Sequence, residues 1–137
     1  MLGRPYGLEG RVLEGRGLGA SALHYPTANI DPHSRVLPKI GVYVTATLVD
    51  GVWYRSVTNV GRRPTVSPED HVTVETHLLD FDRSLYGASI RVRFLHRLRG
   101  ERQFPSLDAL RDQIARDARR AARYFSHPLV RRHLHVV

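Results

Sequence analysis

Thr27 and Asn29 stand two residues apart just after a segment in which Gly15, Gly17 and Gly19 alternate with other residues. A threonine hydroxyl and an asparagine amide oxygen are hard, neutral oxygen donors. A Mg²⁺ ion carried by a nucleotide can take two such donors and keep phosphates and waters as its other ligands. The alternating glycines leave little side-chain bulk, so their amide N–H groups can turn toward one anion. Pro26 fixes its own φ and pushes Tyr25 toward an extended conformation, which gives Thr27 and Asn29 a set direction of exit. The same residues also suit a plain glycine-rich connection closed by a Pro-Thr turn. Two common phosphate motifs do not fit. Arg16-Gly17 stands where a G-x-x-x-x-G-K-[ST] loop starting at Gly10 needs Lys-Ser/Thr, and the three glycines miss the G-x-G-x-x-G spacing.

The elements that must position these residues are mostly short strands. Leu8 to Leu13 suits a strand before the glycine segment, and Ile30 to Lys39, with Pro32 and Pro38, reads as a loop. Gly41 to Val49 and Val52 to Val60 are β-rich runs joined by Asp50-Gly51, a strong hairpin signal because both residues tolerate positive φ. Asn59 to Val66 reads as a second Gly/Pro/Thr loop. Val72 to Leu79 then puts Val72, Val74, Thr76 and Leu78 on one face and Thr73, Glu75, His77 and Leu79 on the other. Ile90 to Leu98 is the clearest stretch of period two. The pattern changes once, at Pro105-Ser106, where Ser106 suits an N-cap and Asp108 the first turn of a helix. Leu107, Leu110, Ile114, Ala118, Ala121 and Phe125 share one face of that helix, and His127-Pro128 should end it. About six strands and one late helix argue for a small antiparallel barrel or closed sandwich with the helix packed outside.

The chain of 137 residues suits one domain that buries roughly two-thirds of its unfolded surface. It contains no cysteine, which rules out disulfides and thiolate metal sites and agrees with a reducing compartment. Residues 1–7 lack an apolar signal core and no apolar run approaches membrane-spanning length, so a cytoplasmic protein is expected. The net charge is +8, and Lys39 is the only lysine among 21 basic residues. Such a balance suits polyanions, either nucleotide phosphates or nucleic acid. Arg91, Arg93 and Arg97, with Arg111, Arg116, Arg119, Arg120 and Arg123 on the helix, therefore support a competing reading as a basic nucleic-acid-binding barrel.

Taken in order, these residues resemble a riboflavin kinase (flavokinase) domain. The likeness runs through Pro26-Thr27-Ala28-Asn29, Gly41-Val42-Tyr43 and Asn59-Val60-Gly61-Arg62-Arg63-Pro64-Thr65. It continues in Val74-Glu75-Thr76-His77-Leu78-Leu79-Asp80-Phe81, Leu85-Tyr86-Gly87 and Leu98-Arg99-Gly100-Glu101-Arg102-Gln103-Phe104. The resemblance implies a mainly β fold, a six-stranded antiparallel Greek-key barrel over residues 8–98, with a C-terminal helix over 106–125 and a basic tail over 126–137. It implies transfer of the ATP γ-phosphate to the 5′-hydroxyl of riboflavin, giving FMN and ADP. Glu75 becomes the catalytic base, and Thr27 and Asn29 the Mg²⁺ ligands. Gly15, Gly17, Gly19, Ser21, Thr27, Asn29, Leu78, Asp80 and Tyr86 fall at ATP-binding positions, and Arg99, Arg102 and Phe104 at flavin-binding positions. Leu2-Gly3-Arg4-Pro5-Tyr6 is similar to the segment that joins such a domain to an FMN adenylyltransferase domain in bifunctional FAD synthetases, so a covalently preceding domain of that kind is expected. Ser21 stands where the family usually has a lysine or arginine, Ala20 where glycine or arginine is frequent, and His24 where it has glycine. These departures bear on ATP binding, and in the extreme describe a flavin-binding domain without turnover.

Overall fold

The computed structural model describes residues 6–13, 27–32, 37–63, 71–81, 83–85 and 87–133, with only the backbone at some element ends. Six strands, β1 (Tyr6–Leu13), β2 (Thr27–Pro32), β3 (Gly41–Val49), β4 (Val52–Arg63), β5 (His71–Leu78) and β6 (Ser89–Arg99), form a closed antiparallel barrel. The order around the barrel is β1-β2-β5-β4-β3-β6. Strands β3, β4 and β5 form a meander, and β6 returns to lie between β3 and β1, which is the Greek-key path expected. Helix α1 (Leu107–Ser126) follows, and then a short helix, α2 (Pro128–His133).

Closure is achieved by local chemistry that the sequence announces. Asp50 and Gly51 have φ of 49° and 80°, so both central residues of the β3–β4 hairpin occupy the left-handed region a tight primed turn requires. Ser106 caps α1 as expected, accepting a hydrogen bond from the Ala109 N–H at 3.1 Å. Two expectations differ from the structure. Ile30 belongs to β2, not to a loop, because Ile30 pairs with Val12 on one side and Val74 on the other. Likewise Gly61, Arg62 and Arg63 extend β4, pairing with Thr73, Val72 and His71. Ladder pairing, with two flanking strands at Ile30 and with β5 at Gly61 to Arg63, outweighs the local loop signal of Pro32 and of Gly61.

The barrel has two packed faces. Its interior holds Leu8, Val12, Ile30, Val60, Val74, Leu78 and Val92. A ladder of buried hydroxyls crosses the same interior: Thr45 lies 2.7 Å from Ser56 and 2.8 Å from Thr58, and Thr58 lies 2.9 Å from Thr76. Buried hydroxyls satisfy one another in this way and tie β3, β4 and β5 together. The outer wall of β3 and β4 is covered by α1, where Ala118, Ala121 and Phe125 pack on Val42, Val44, Ala46 and Val57. Small alanines let the helix approach the sheet closely. Gln113 and Asp117 are also buried on this helix face, beside Ile114. Among the described residues no helix is long and apolar enough to cross a membrane.

Candidate active site

Pairing register brings the principal predicted residues together on the outer wall. Asn29 on β2 pairs with Glu75 on β5, and Glu75 pairs on its other side with Asn59 on β4. Asn59 pairs with Val42 on β3, which pairs with Arg99 on β6. One transverse row therefore runs Asn29, Glu75, Asn59, Val42, Arg99. Residues directly opposite in antiparallel strands share a face, so an amide, a carboxylate and a second amide stand side by side on three adjacent strands. Asn29, Glu75 and Asn59 are half-buried, which leaves them open to a ligand on that side. The neighbouring row joins Thr27, His77, Val57, Val44 and His96. The two faces expected for β5 are observed: Val74, Thr76 and Leu78 face the interior, Glu75 and His77 the outside.

The two neighbours of Glu75 differ in kind. The sequence places Asn59 in the Asn59–Thr65 motif without a site role, yet its Oδ1 is buried without a hydrogen-bond partner. A buried acceptor left unpaired is costly, so a hydrogen-bond donor such as water or a ligand hydroxyl, or a coordinated cation, is needed to satisfy it. His77, one turn of the strand pleat away, is buried and has its pKa lowered to about 4. Loss of hydration on burial is the larger cause, partly opposed by the nearby negative charge of Asp117 on α1. His77 is therefore a buried ring that stays neutral near pH 7.

Beyond the row, Arg99, Arg102 and Phe104 form one cluster after β6. The guanidinium carbons of Arg99 and Arg102 lie 5.8 and 5.6 Å from the centroid of the Phe104 ring. That clustering agrees with a platform for a flat, partly polar ligand. Leu78 is fully buried in the barrel interior, leaving only its main chain to meet a nucleotide. Asp80 is exposed, has a positive φ of 51° and forms an ion pair with Arg55. Gly15, Gly17, Gly19, Ser21 and Tyr86 lie outside the described residues, as do Ala20, His24 and the side chain of Thr27.

The arginines of β6 do not form a free basic stripe. Arg91 pairs with Glu9 at 2.6 Å, Arg93 lies 4.8 Å over the Trp53 ring, and Arg97 donates to the Ile40 carbonyl at 3.0 Å. A groove of about 620 Å³ near the C-terminal end of α1 is lined by His96, Leu98, Arg120, Tyr124, Leu129 and Val130, among others. None of the predicted site residues lines it.

The closed antiparallel barrel thus carries an amide–carboxylate–amide row on its outer wall, beside an Arg/Phe cluster that the helix backs. Comparison with known proteins shows the family. Residues 2–125 match the riboflavin kinase family (flavokinase), and the chain belongs to that family. The bifunctional riboflavin kinase/FMN adenylyltransferase of Haemophilus influenzae is 41% identical over 127 residues, covering 92% of this chain and 41% of that protein. The protein of the same description from Pseudomonas fluorescens is 42% identical over 132 residues, covering 96% of this chain and 42% of its own length. The crystal structure of riboflavin kinase from Trypanosoma brucei superposes with a TM-score of 0.63 at 25% identity, covering 96% of this chain and 86% of that one. The chain thus spans about two-fifths of the bacterial relatives and most of the trypanosomal enzyme.

Proposed function

We propose that this chain transfers the γ-phosphate of ATP to the 5′-hydroxyl of riboflavin, giving FMN and ADP, with Glu75 as the base. The observation that carries the reading is the register that seats Glu75 between Asn29 and Asn59. A primary alcohol barely ionises near neutrality, so a carboxylate within hydrogen-bond reach should accept its proton as the new P–O bond forms. The unpaired Oδ1 of Asn59 suits a hydroxyl donor from the flexible polyol chain of the substrate, which would hold that chain along the row. Arg102 and Phe104 supply a cation and an apolar face for the ring system at the end of the same row. Phosphoryl transfer asks the protein mainly for alignment and charge neutralisation, and a row of fixed strand positions provides alignment.

The donor set suits a hard divalent cation. Among the described residues no group of three or more His, Cys, Asp or Glu that could hold a metal is found. The Asn29 amide oxygen, with Thr27 two positions before it, suits Mg²⁺ that arrives with its nucleotide. When bound, Mg²⁺ neutralises charge on the transferring phosphates. Asn29→Ala is expected to raise the Mg²⁺ concentration needed for half-maximal activity several-fold, at unchanged riboflavin affinity. An unchanged Mg²⁺ titration removes Asn29 from the metal site.

The test of the reaction is direct. Incubation with ATP, Mg²⁺ and riboflavin, followed by chromatography, should yield FMN and ADP in equal amounts. Riboflavin binding without FMN would make this a flavin-binding domain. Salt-sensitive binding of nucleic acid with neither would restore the basic-barrel reading. The FMN formed is what an adenylyltransferase consumes, in keeping with the paired activities in the relatives' names. A covalently joined domain of that kind remains part of the proposal.

A further inference from the structure

Asp117 is a charged residue buried in the helix–barrel interface, with its side chain 2% exposed. Its Oδ1 accepts from Arg99 Nε at 3.2 Å and its Oδ2 from Arg99 Nη2 at 2.8 Å, a two-point fork. Arg99 Nη1 donates to the Gly100 carbonyl at 3.1 Å. Most of the Arg99 donors are therefore used within the protein, and one face of its guanidinium lies toward Phe104. The second arm of the network runs through Gln113. Its Nε2 donates to Asp117 Oδ1 at 3.0 Å, and its Oε1 lies 3.4 Å from Arg102 Nη1.

Every residue expected to meet the flavin thus leads back to one carboxylate. Arg99 reaches it directly, Arg102 through Gln113, and Phe104 through contact with both guanidiniums. Resting on the kinase reading above, we propose that Asp117 is a positioning residue for the flavin site: acting through Arg99 and Gln113, it sets where Arg102 and Phe104 stand relative to Glu75. Arg99 then serves as a bracket within the protein, and the polar contact with the flavin falls to the exposed Arg102. Stability alone is a weak reason for such a pair, because buried ion pairs can often be replaced by apolar residues without loss. What a bidentate fork supplies is a fixed direction. Arg99 also ends the transverse row that contains Glu75, so a shift there moves the flavin cluster against the base.

Asp117→Asn keeps the size of the side chain and removes its charge. The expected result is a rise of about tenfold in both the riboflavin KM and the riboflavin dissociation constant measured by flavin fluorescence, with the MgATP KM changed less than about twofold. Arg99→Lys, which keeps the charge and loses the fork, should reproduce that selective loss, and it serves as the second variant where Asp117→Asn does not fold. A folded variant with unchanged riboflavin affinity, or with riboflavin and ATP constants raised equally, overturns the proposal by reducing Asp117 to a helix tether. Fluorescence binding does not require turnover. A wild-type chain that binds riboflavin but makes no FMN therefore refutes the kinase reading while the positioning role is still decided.

Discussion

Glu75→Gln should lower turnover by at least about 10²-fold while leaving the fold and riboflavin affinity nearly intact. Glutamine matches glutamate in shape and can keep one hydrogen bond from a substrate hydroxyl, but it offers no basic oxygen to take the proton. The pairings of β5 with β2 and β4 do not depend on that side chain, because they are made by main-chain groups. Stability should therefore change little at this half-buried position. The decisive measurement is kcat alongside riboflavin binding by fluorescence. A loss confined to kcat identifies the base. Near-wild-type turnover removes Glu75 from the chemistry and leaves it as a polar neighbour of Asn29 and Asn59.

The second large effect concerns acid. His77 is held neutral in the folded state, with a pKa near 4 against an ordinary value of 6.5. Above about pH 6.5 neither the folded nor the unfolded chain protonates this ring, so its titration leaves stability unchanged. As pH falls from 6.5 toward 4, the unfolded chain takes up a proton that the folded chain refuses, and stability falls. The full span corresponds to roughly 3 kcal/mol, a large share of a small domain's stability. Below about pH 4 both states carry the proton and this contribution levels off. Urea unfolding of wild type and His77→Gln at about pH 7 and about pH 4.5 should show a much smaller acid loss in the variant. Parallel losses in the two proteins would place the acid-sensitive group elsewhere.

The physical link between these predictions is the placement of α1. The helix brings the Asp117 carboxylate near His77 and, through Asp117 and Gln113, holds Arg99 and Arg102. Helix packing and the Arg99/Arg102/Phe104 cluster are thus coupled, whereas Asn29 and Glu75 are fixed by strand pairing. Damage to the helix interface should appear first in riboflavin binding, and damage to the base should appear in kcat.

Much of the architecture was legible in the residues. A β-rich run marked β3, alternating faces marked β5 and β6, Asp50-Gly51 marked the hairpin, and Ser106 marked the start of α1, because each is a local preference acting within a few residues. The expected helix face contained Ile114, Ala118, Ala121 and Phe125, all buried as its periodicity required. The same periodicity gave no weight to Gln113 and Asp117, since a polar residue on an apolar face reads as an interruption until its partner is known. Strand β2 was not legible as a strand, because its stability comes from neighbours distant in sequence, Val12 and Val74.

The amino-acid sequence alone determined the oxygen donors and carboxylate on offer, the switch from strands to helix, and through ordered motifs the family. Tertiary structure decided which of these residues meet. Register joined Asn29 to Glu75 across 45 intervening residues and added Asn59, and a helix residue, Asp117, was paired with an arginine from β6. Local preference is written residue by residue, but strand register and buried charge pairing are properties of chain segments brought together from far apart, and only the folded chain fixes them.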